Sequence, residues 1–173
     1  CTNLCFSGCV IDIGEHYLKQ SYRTRCDILT AGGPKALTIP VIKGSNWDKP
    51  KMKEVRIDYS KRWQHQHWGS IVSAYKSSPY FDYYADGFEP FYMHRCDLLC
   101  DFNTGLTELV LKLLGSGVQP VFSEDYIDVR AGSGDANSPA MITDLRDAIS
   151  PQPRLSHPDP DFHPEPYWQV FAG

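Results

Sequence analysis

Several common marks of function are missing from this sequence. It contains no G-x-G-x-x-G, P-loop, G-x-S-x-G or H-E-x-x-H, which excludes the usual dinucleotide, nucleotide, hydrolase and zinc-protease signatures. It has no run of about 18 apolar residues, so we expect no membrane-spanning helix. Its cysteines lack C-x2-C pairs, and we therefore expect neither a metal nor another cofactor.

The chain also lacks an excess of positive charge. Its 17 Lys and Arg residues are outnumbered by 21 Asp and Glu residues, which gives a net charge of -4. Nucleic-acid-binding domains usually carry a basic stripe, so we expect no nucleic-acid partner. The chain begins at Cys1 without a signal-peptide pattern, and we expect a cytoplasmic protein, or a piece of one, that has lost its first residues.

What is present is typical of a globular chain. The 173 residues are 42% hydrophobic and 22% charged, and this length allows one domain with its own core. We expect the six cysteines to be small buried residues, because free cysteine packs like a small apolar side chain.

The apolar pattern changes near residue 60. Before it, β-branched or alternating stretches predict strands at residues 10–13, 20–29, 36–42 and 53–59. After it, apolar residues at helical spacing predict helices from residue 62, after Pro79, at 87–97 and at 101–114, then a strand at 119–123, a helix at 141–149 and a strand at 167–171. We therefore expect an α/β (or α+β) fold: a single domain in which helices pack a small mixed sheet from the N-terminal third.

Cations recur between Lys19 and Arg25. If this segment is extended, Lys19, Arg23 and Arg25 share one face, and with Gln20 they form a candidate site for a phosphate or carboxylate, which Arg binds in a bidentate way. The alternative is a solvated edge strand whose charges prevent aggregation.

Two histidines lie in the first predicted helix. His65 and His67 would point about 200° apart on a helix and so would not share a metal. His67 lies at the edge of the apolar stripe, where a half-buried imidazole can act as a general base near neutral pH. The alternative is a boundary residue that hydrogen-bonds the backbone. We expect His65 to be exposed.

Aromatic residues are concentrated between residues 63 and 92. Rings at helical spacing are usually part of a core, and the alternative is a platform on which a sugar stacks. The candidates for ligand contact are Trp63, Trp68, Tyr75 and Tyr80.

At these residues the sequence resembles the WbqC-like family. The matching pieces include Tyr17-x-Lys19-Gln20-Ser21-Tyr22-Arg23-x-Arg25-Cys26, Trp63-x-x-x-His67-Trp68 and Tyr167-Trp168-Gln169-Val170-Phe171. Their order and spacing cover nearly the whole chain and are similar to those of Bacteroidetes members. Family members usually have further segments at both ends, so the resemblance implies a single WbqC-like domain over residues 1–173 that is incomplete at both termini. Thr24 stands where the family more often has Asn.

The resemblance implies a role in O-antigen or other surface-polysaccharide biosynthesis. A glycine-transferase role has been suggested for one member, and transfer of a glycyl or other acyl group to an amino sugar would use His67 as general base. Lys19, Arg23 and Arg25 would then hold the diphosphate of a nucleotide sugar, in a pocket with His67 or Trp63 on its wall. The competing hypotheses are a non-catalytic nucleotide-sugar or glycan binding module and an interaction partner of a biosynthetic enzyme.

Overall fold

The chain passes from short strands into three helices. The structure is a computed structural model that describes residues 9–43 and 49–128 together with Arg146. The strands are β1 (Val10–Asp12), β2 (Arg25–Thr30), β3 (Gly33–Thr38) and β4 (Val121–Ser123), and the helices are α1 (Trp63–Tyr75), α2 (Phe81–Met93) and α3 (Leu99–Leu113). This arrangement confirms the predicted α/β class.

The four strands pair in twos. β1 and β4 are parallel, with Val10 opposite Val121 and Asp12 opposite Ser123. β2 and β3 form an antiparallel hairpin in which Arg25 lies opposite Thr38. Gly33 begins β3 with a φ of 100°, a left-handed value that glycine adopts without a steric cost. The predicted hairpin and the predicted short strand near residue 121 are thus both present, although the two pairs do not join into one continuous sheet.

The strand predicted at 20–29 begins only at Arg25, because the residues before it form turns. The Ser21 hydroxyl donates to the Leu18 carbonyl over 2.8 Å, and the Thr24 amide donates to the Ser21 carbonyl over 3.3 Å. Local hydrogen bonds of this kind compete with strand pairing. The prediction of an extended segment from Lys19 to Arg25 is therefore wrong.

The segment 53–59 also departs from its prediction, since it forms no regular strand. Met52–Glu54 is a turn of 3-10 helix, after which Arg56 bridges Leu98 and Ile57 bridges Val41. The prediction that one side of this segment is buried is nevertheless confirmed, since Val55 and Ile57 are only 1% and 3% exposed. Successive residues pair with different segments, so no ladder with a single partner develops.

Two of the three helices, α1 and α3, begin within two residues of their predicted starts. α1 begins one residue after the predicted start, and Gly115, with a φ of 64°, follows α3 as predicted. Pro79 was predicted to open the second helix, but α2 begins at Phe81, after Tyr80 in a left-handed conformation. The turns predicted at 87–97 belong in part to this same helix. Apart from Arg146, the helix predicted at 141–149 lies outside the described residues, as does the strand at 167–171.

One cluster of buried side chains forms the core, and it consists of Met52, Val55, Ile57, Trp63, Leu99 and Phe102. Burial of such side chains contributes about 1.5–3 kcal/mol each. Two of the residues predicted on the buried face of α3 are exposed, Val110 at 40% and Leu114 at 75%. Cys100 is buried, whereas Cys9 and Cys26 are exposed, contrary to the expectation for the cysteines.

Candidate functional site

The predicted cation site does not form as a common face. Arg23 donates to both carboxylate oxygens of Glu15, over 2.7 and 2.6 Å. Arg25 is engaged elsewhere, with Asp27 at 3.0 Å. Lys19 is exposed in the turn that precedes them, next to Gln20 with a φ of 55°. Each arginine is thus neutralised by its own carboxylate, because the turn replaces the extended strand on which the prediction rested.

His67 is enclosed by protein. Its residue is 8% exposed, and its ring packs against Trp63 at 5.1 Å and Tyr92 at 6.5 Å between centroids. Burial lowers the pKa of His67, a hydrogen bond with the backbone of Thr38 raises it, and the charge of Lys35 lowers it. The net direction is downward, so the ring is held neutral at pH 7 with little access to a ligand.

The aromatic candidates divide between core and surface. Trp63 is 3% exposed and belongs to the core. Trp68 stacks on Phe81 at 6.5 Å and on Tyr92 at 5.6 Å. The Tyr75 hydroxyl accepts the amide hydrogen of Leu29 and so joins α1 to β2. Tyr80, in contrast, is 77% exposed.

An open groove lies between the turn of the β2–β3 hairpin and the outer face of α1. It has a volume of about 690 Å³ and is lined by Thr30, Ala31, Gly32, Lys35, His65, Gln66, Gly69, Ser70, Ser73, Ala74 and Ser77. The residues from α1 recur at helical spacing, so they form one continuous face. None of the site residues predicted from the sequence lines this groove.

The groove lining combines small residues with polar side chains and one positive charge, that of Lys35. Lys35 donates from Nζ to the Ser70 hydroxyl over 2.8 Å, and that hydroxyl donates to the Gln66 carbonyl over 2.7 Å. His65 is exposed, and the lining contains no carboxylate. Such a surface can bind hydroxyl and anionic groups of a ligand. The small polar residues Ser70, Ser73 and Ser77, at i, i+3 and i+7, were a visible signal in the sequence, but the contribution of Lys35 depends on how the hairpin packs.

A second polar cluster holds the carboxyl ends of β1 and β4 together. The Asp12 carboxylate, 6% exposed, accepts from Arg146 at 3.1 Å and from the amides of Gly14 and Ile127 at 2.9 and 3.0 Å. Arg146 also lies 4.8 Å from the centre of the Tyr126 ring. A buried carboxylate with this many donors is typical of a structural ion pair.

Within residues 9–43 and 49–128, no three His, Cys, Asp or Glu side chains come together as metal ligands would. Across the same described residues, every helix is too short or too polar to cross a lipid bilayer.

The fold is therefore α/β, with an open groove on the outer side of its first helix. The chain belongs to the WbqC-like protein family, whose family model matches residues 9–150. No curated protein and no solved structure matches the chain.

Proposed function

We propose that this WbqC-like protein binds a sugar-containing ligand of O-antigen or other surface-polysaccharide biosynthesis in the groove between α1 and the hairpin turn. The observation that carries the proposal is the groove itself, an open volume of about 690 Å³ whose lining includes hydroxyl, amide and ammonium groups. Ligand sites for small molecules typically have volumes of about 300–1,000 Å³.

The chemistry of the lining suits a ligand rich in hydroxyl groups. Hydroxyls from Thr30, Ser70, Ser73 and Ser77 and the amide of Gln66 line the groove, and each such group both donates and accepts hydrogen bonds, as sugar hydroxyls do. No Phe, Tyr or Trp side chain lines it, so recognition would depend mainly on hydrogen bonds rather than on stacking. A binding role requires no general base, which agrees with the burial of His67.

Gly69 offers a direct test. A Cβ atom at this position meets nothing within 4 Å, so Gly69→Leu adds a side chain on the groove face of α1 with no clash at its Cβ. Leucine is also a better helix former than glycine by up to about 1 kcal/mol. We expect Gly69→Leu to keep or raise the melting temperature and to abolish the binding of nucleotide sugars, measured by thermal shift and calorimetry.

The matched control is Glu108→Leu, which adds the same side chain to an exposed position of α3. It should bind ligands as the unaltered protein does. Unchanged ligand affinity in Gly69→Leu would contradict the proposed groove.

A second candidate function is transfer of a glycyl or other acyl group to an amino sugar. The observation that favours it is the position of His65, which is exposed and lines the groove. If the groove holds the acceptor, His65 rather than His67 has access to the acceptor proton. Loss of a positioned base typically lowers a rate by about 10²–10⁴-fold.

The two histidines can be compared by mass spectrometry of the products formed from amino-sugar nucleotides and acyl donors. We expect His65→Gln to lose transfer and His67→Gln to keep it at reduced stability. The opposite result would identify His67 as the general base. If the unaltered protein forms no product, acyl transfer is rejected and only the binding function is retained.

A further inference from the structure

We infer that the groove contains an anion subsite at Lys35, which selects sugars that carry a phosphate or carboxylate over neutral sugars. This inference rests on the proposed function, since it specifies the class of ligand that the groove takes. It places recognition of the anion on β3 and α1, away from the Lys19–Arg25 segment.

The Lys35 ammonium group is held in position across the groove. Lys35 belongs to β3, and its Nζ donates to the Ser70 hydroxyl of α1 over 2.8 Å. Ser70 in turn donates its proton to the Gln66 carbonyl, so its oxygen is free to accept from Lys35. An ammonium group has three donors and Ser70 takes one of them, which leaves two for a ligand.

The charge of Lys35 has no neutralising partner in the part of the chain that the structure describes. The ion pairs there join Arg23 to Glu15, Arg25 to Asp27, Lys53 to Glu124 and Arg146 to Asp12. Because the groove lining holds no carboxylate, a bound oxyanion would not meet repulsion from a neighbouring acid. Arg23 and Arg25 differ in this respect, since a ligand would have to displace Glu15 or Asp27.

Other donors surround the same position. Gln66 and His65 lie one helical turn before Ser70 and Gly69 on the groove face of α1, and the absence of a side chain at Gly69 leaves room for a ligand beside Lys35. The side chains of Gln66 and His65 can both donate hydrogen bonds to a second oxygen of the anion. A phosphate monoester and a sugar carboxylate share this chemistry.

His67 provides an internal reporter for the subsite. The charge of Lys35 lowers the pKa of His67, although His67 does not line the groove. An anion bound to Lys35 offsets that charge, so it should raise the pKa of His67 without touching the ring. Replacement of Lys35 by Gln should raise this pKa as well, and ligand should then produce little further change.

Calorimetry with glucose 1-phosphate, glucuronate and glucose tests the selectivity, with NMR titration of the His67 ring as the second measurement. We expect the unaltered protein to bind both anionic sugars more tightly than glucose. A hydrogen bond to a charged group corresponds to roughly a 10-fold to 100-fold change in affinity. Lys35→Gln should therefore weaken the binding of the two anionic sugars by about that factor and the binding of glucose by less than about 3-fold. Lys35→Arg should retain the preference for anionic sugars.

The ratio of the affinities for glucose 1-phosphate and glucuronate shows whether the subsite favours a phosphate or a carboxylate.

Equal affinity for all three sugars, or equal affinities in the unaltered protein and Lys35→Gln, would contradict the anion subsite but not the proposal that ligand binds in the groove. Sugar binding that Gly69→Leu leaves intact would instead overturn the groove. If no sugar binds, the proposed function fails, and inorganic phosphate becomes the probe. A phosphate-induced rise in the pKa of His67 that is absent in Lys35→Gln would then still support the anion subsite, and its absence would reject it.

Discussion

His67 is held neutral by the residues around it. Its ring lies between Trp63 and Tyr92 and hydrogen-bonds the backbone of Thr38. Burial is the largest influence on its pKa and lowers it, because a charged imidazolium loses its hydration inside the protein. No carboxylate contributes to the pKa of His67 to oppose this effect. The residue therefore links the hairpin to α1 and makes stability sensitive to pH.

The sign of this pH dependence follows from the direction of the shift. The unfolded-state pKa of histidine is about 6.5, and the folded-state value is lower, so protons bind preferentially to the unfolded chain. Stability is then complete above about pH 6.5 and is lost as the pH falls from there through the folded-state pKa. Urea denaturation at about pH 7.5 and about pH 5.5 should show a lower free energy of unfolding at the acidic pH.

In His67→Phe, the free energy of unfolding should fall less between the two pH values than it does in the unaltered protein. His65→Gln removes an exposed histidine and is the matched control, with an unaltered pH dependence expected. If the free energy of unfolding falls as much in His67→Phe as in the unaltered protein, another group is responsible for the pH dependence.

Tyr80 combines exposure with an unfavourable backbone conformation. It has a φ of 64°, and left-handed backbone costs a non-glycine residue about 1–2 kcal/mol. Tyr80→Gly relieves this strain, and the greater freedom of the unfolded chain offsets about 0.4–1 kcal/mol of the gain. We expect a net change between zero and about 1.6 kcal/mol of stabilisation, measured by thermal unfolding.

Tyr83→Gly is the matched comparison, because Tyr83 is 74% exposed against 77% for Tyr80 and lies inside α2. Glycine in a helix interior should destabilise it by about 0.5–1 kcal/mol. If the two glycine variants lose equal stability, the left-handed conformation of Tyr80 is not strained.

At the level of elements, α1 presents two different faces. Trp63 and His67 are buried on its inner side, whereas small polar residues on the outer side line the groove. Helical periodicity made α1 and α3 predictable from the sequence to within two residues at their starts. The segment 53–59 was not predictable in the same way, because its alternating burial arises from bridges to Val41 and Leu98, which are distant in sequence. The turns before Arg25 depend on the hydroxyl and backbone bonds of Ser21, which strand propensity does not reveal.

The two helices also differ in what their glycines contact. A Cβ at Gly69 of α1 meets nothing within 4 Å, whereas a Cβ at Gly105 of α3 lies 2.7 Å from the Phe91 ring. Gly69→Ala should therefore stabilise the protein by up to about 1 kcal/mol through helix propensity. Gly105→Ala should destabilise it by about 1–3 kcal/mol, because the packed Phe91 ring has to move. Denaturant titration of both variants checks the prediction, and a stabilised Gly105→Ala would show that α2 and α3 are not packed as described.

In the molecule as a whole, the groove exists because the hairpin is fixed to α1 at several points. The Tyr75 hydroxyl bonds the Leu29 amide, Lys35 bonds Ser70, and His67 bonds the backbone of Thr38. The first two of these contacts join residues 46 and 35 positions apart in the sequence, so no local pattern indicates them. The cations of the 19–25 segment were conspicuous in the sequence, yet Arg23 and Arg25 are already paired with carboxylates. The anion subsite is instead assigned to Lys35, a cation that the sequence alone did not single out.

Binding of a ligand between the hairpin turn and α1 can be tested residue by residue. The most direct measurement is an NMR titration of the isotope-labelled protein with glucose 1-phosphate, in which the amide shifts are followed residue by residue. We expect the largest shifts in Thr30 to Lys35 and His65 to Ser77, and we expect Gly69→Leu to remove them. Shifts concentrated instead at Lys19 to Arg25 would contradict binding in the groove.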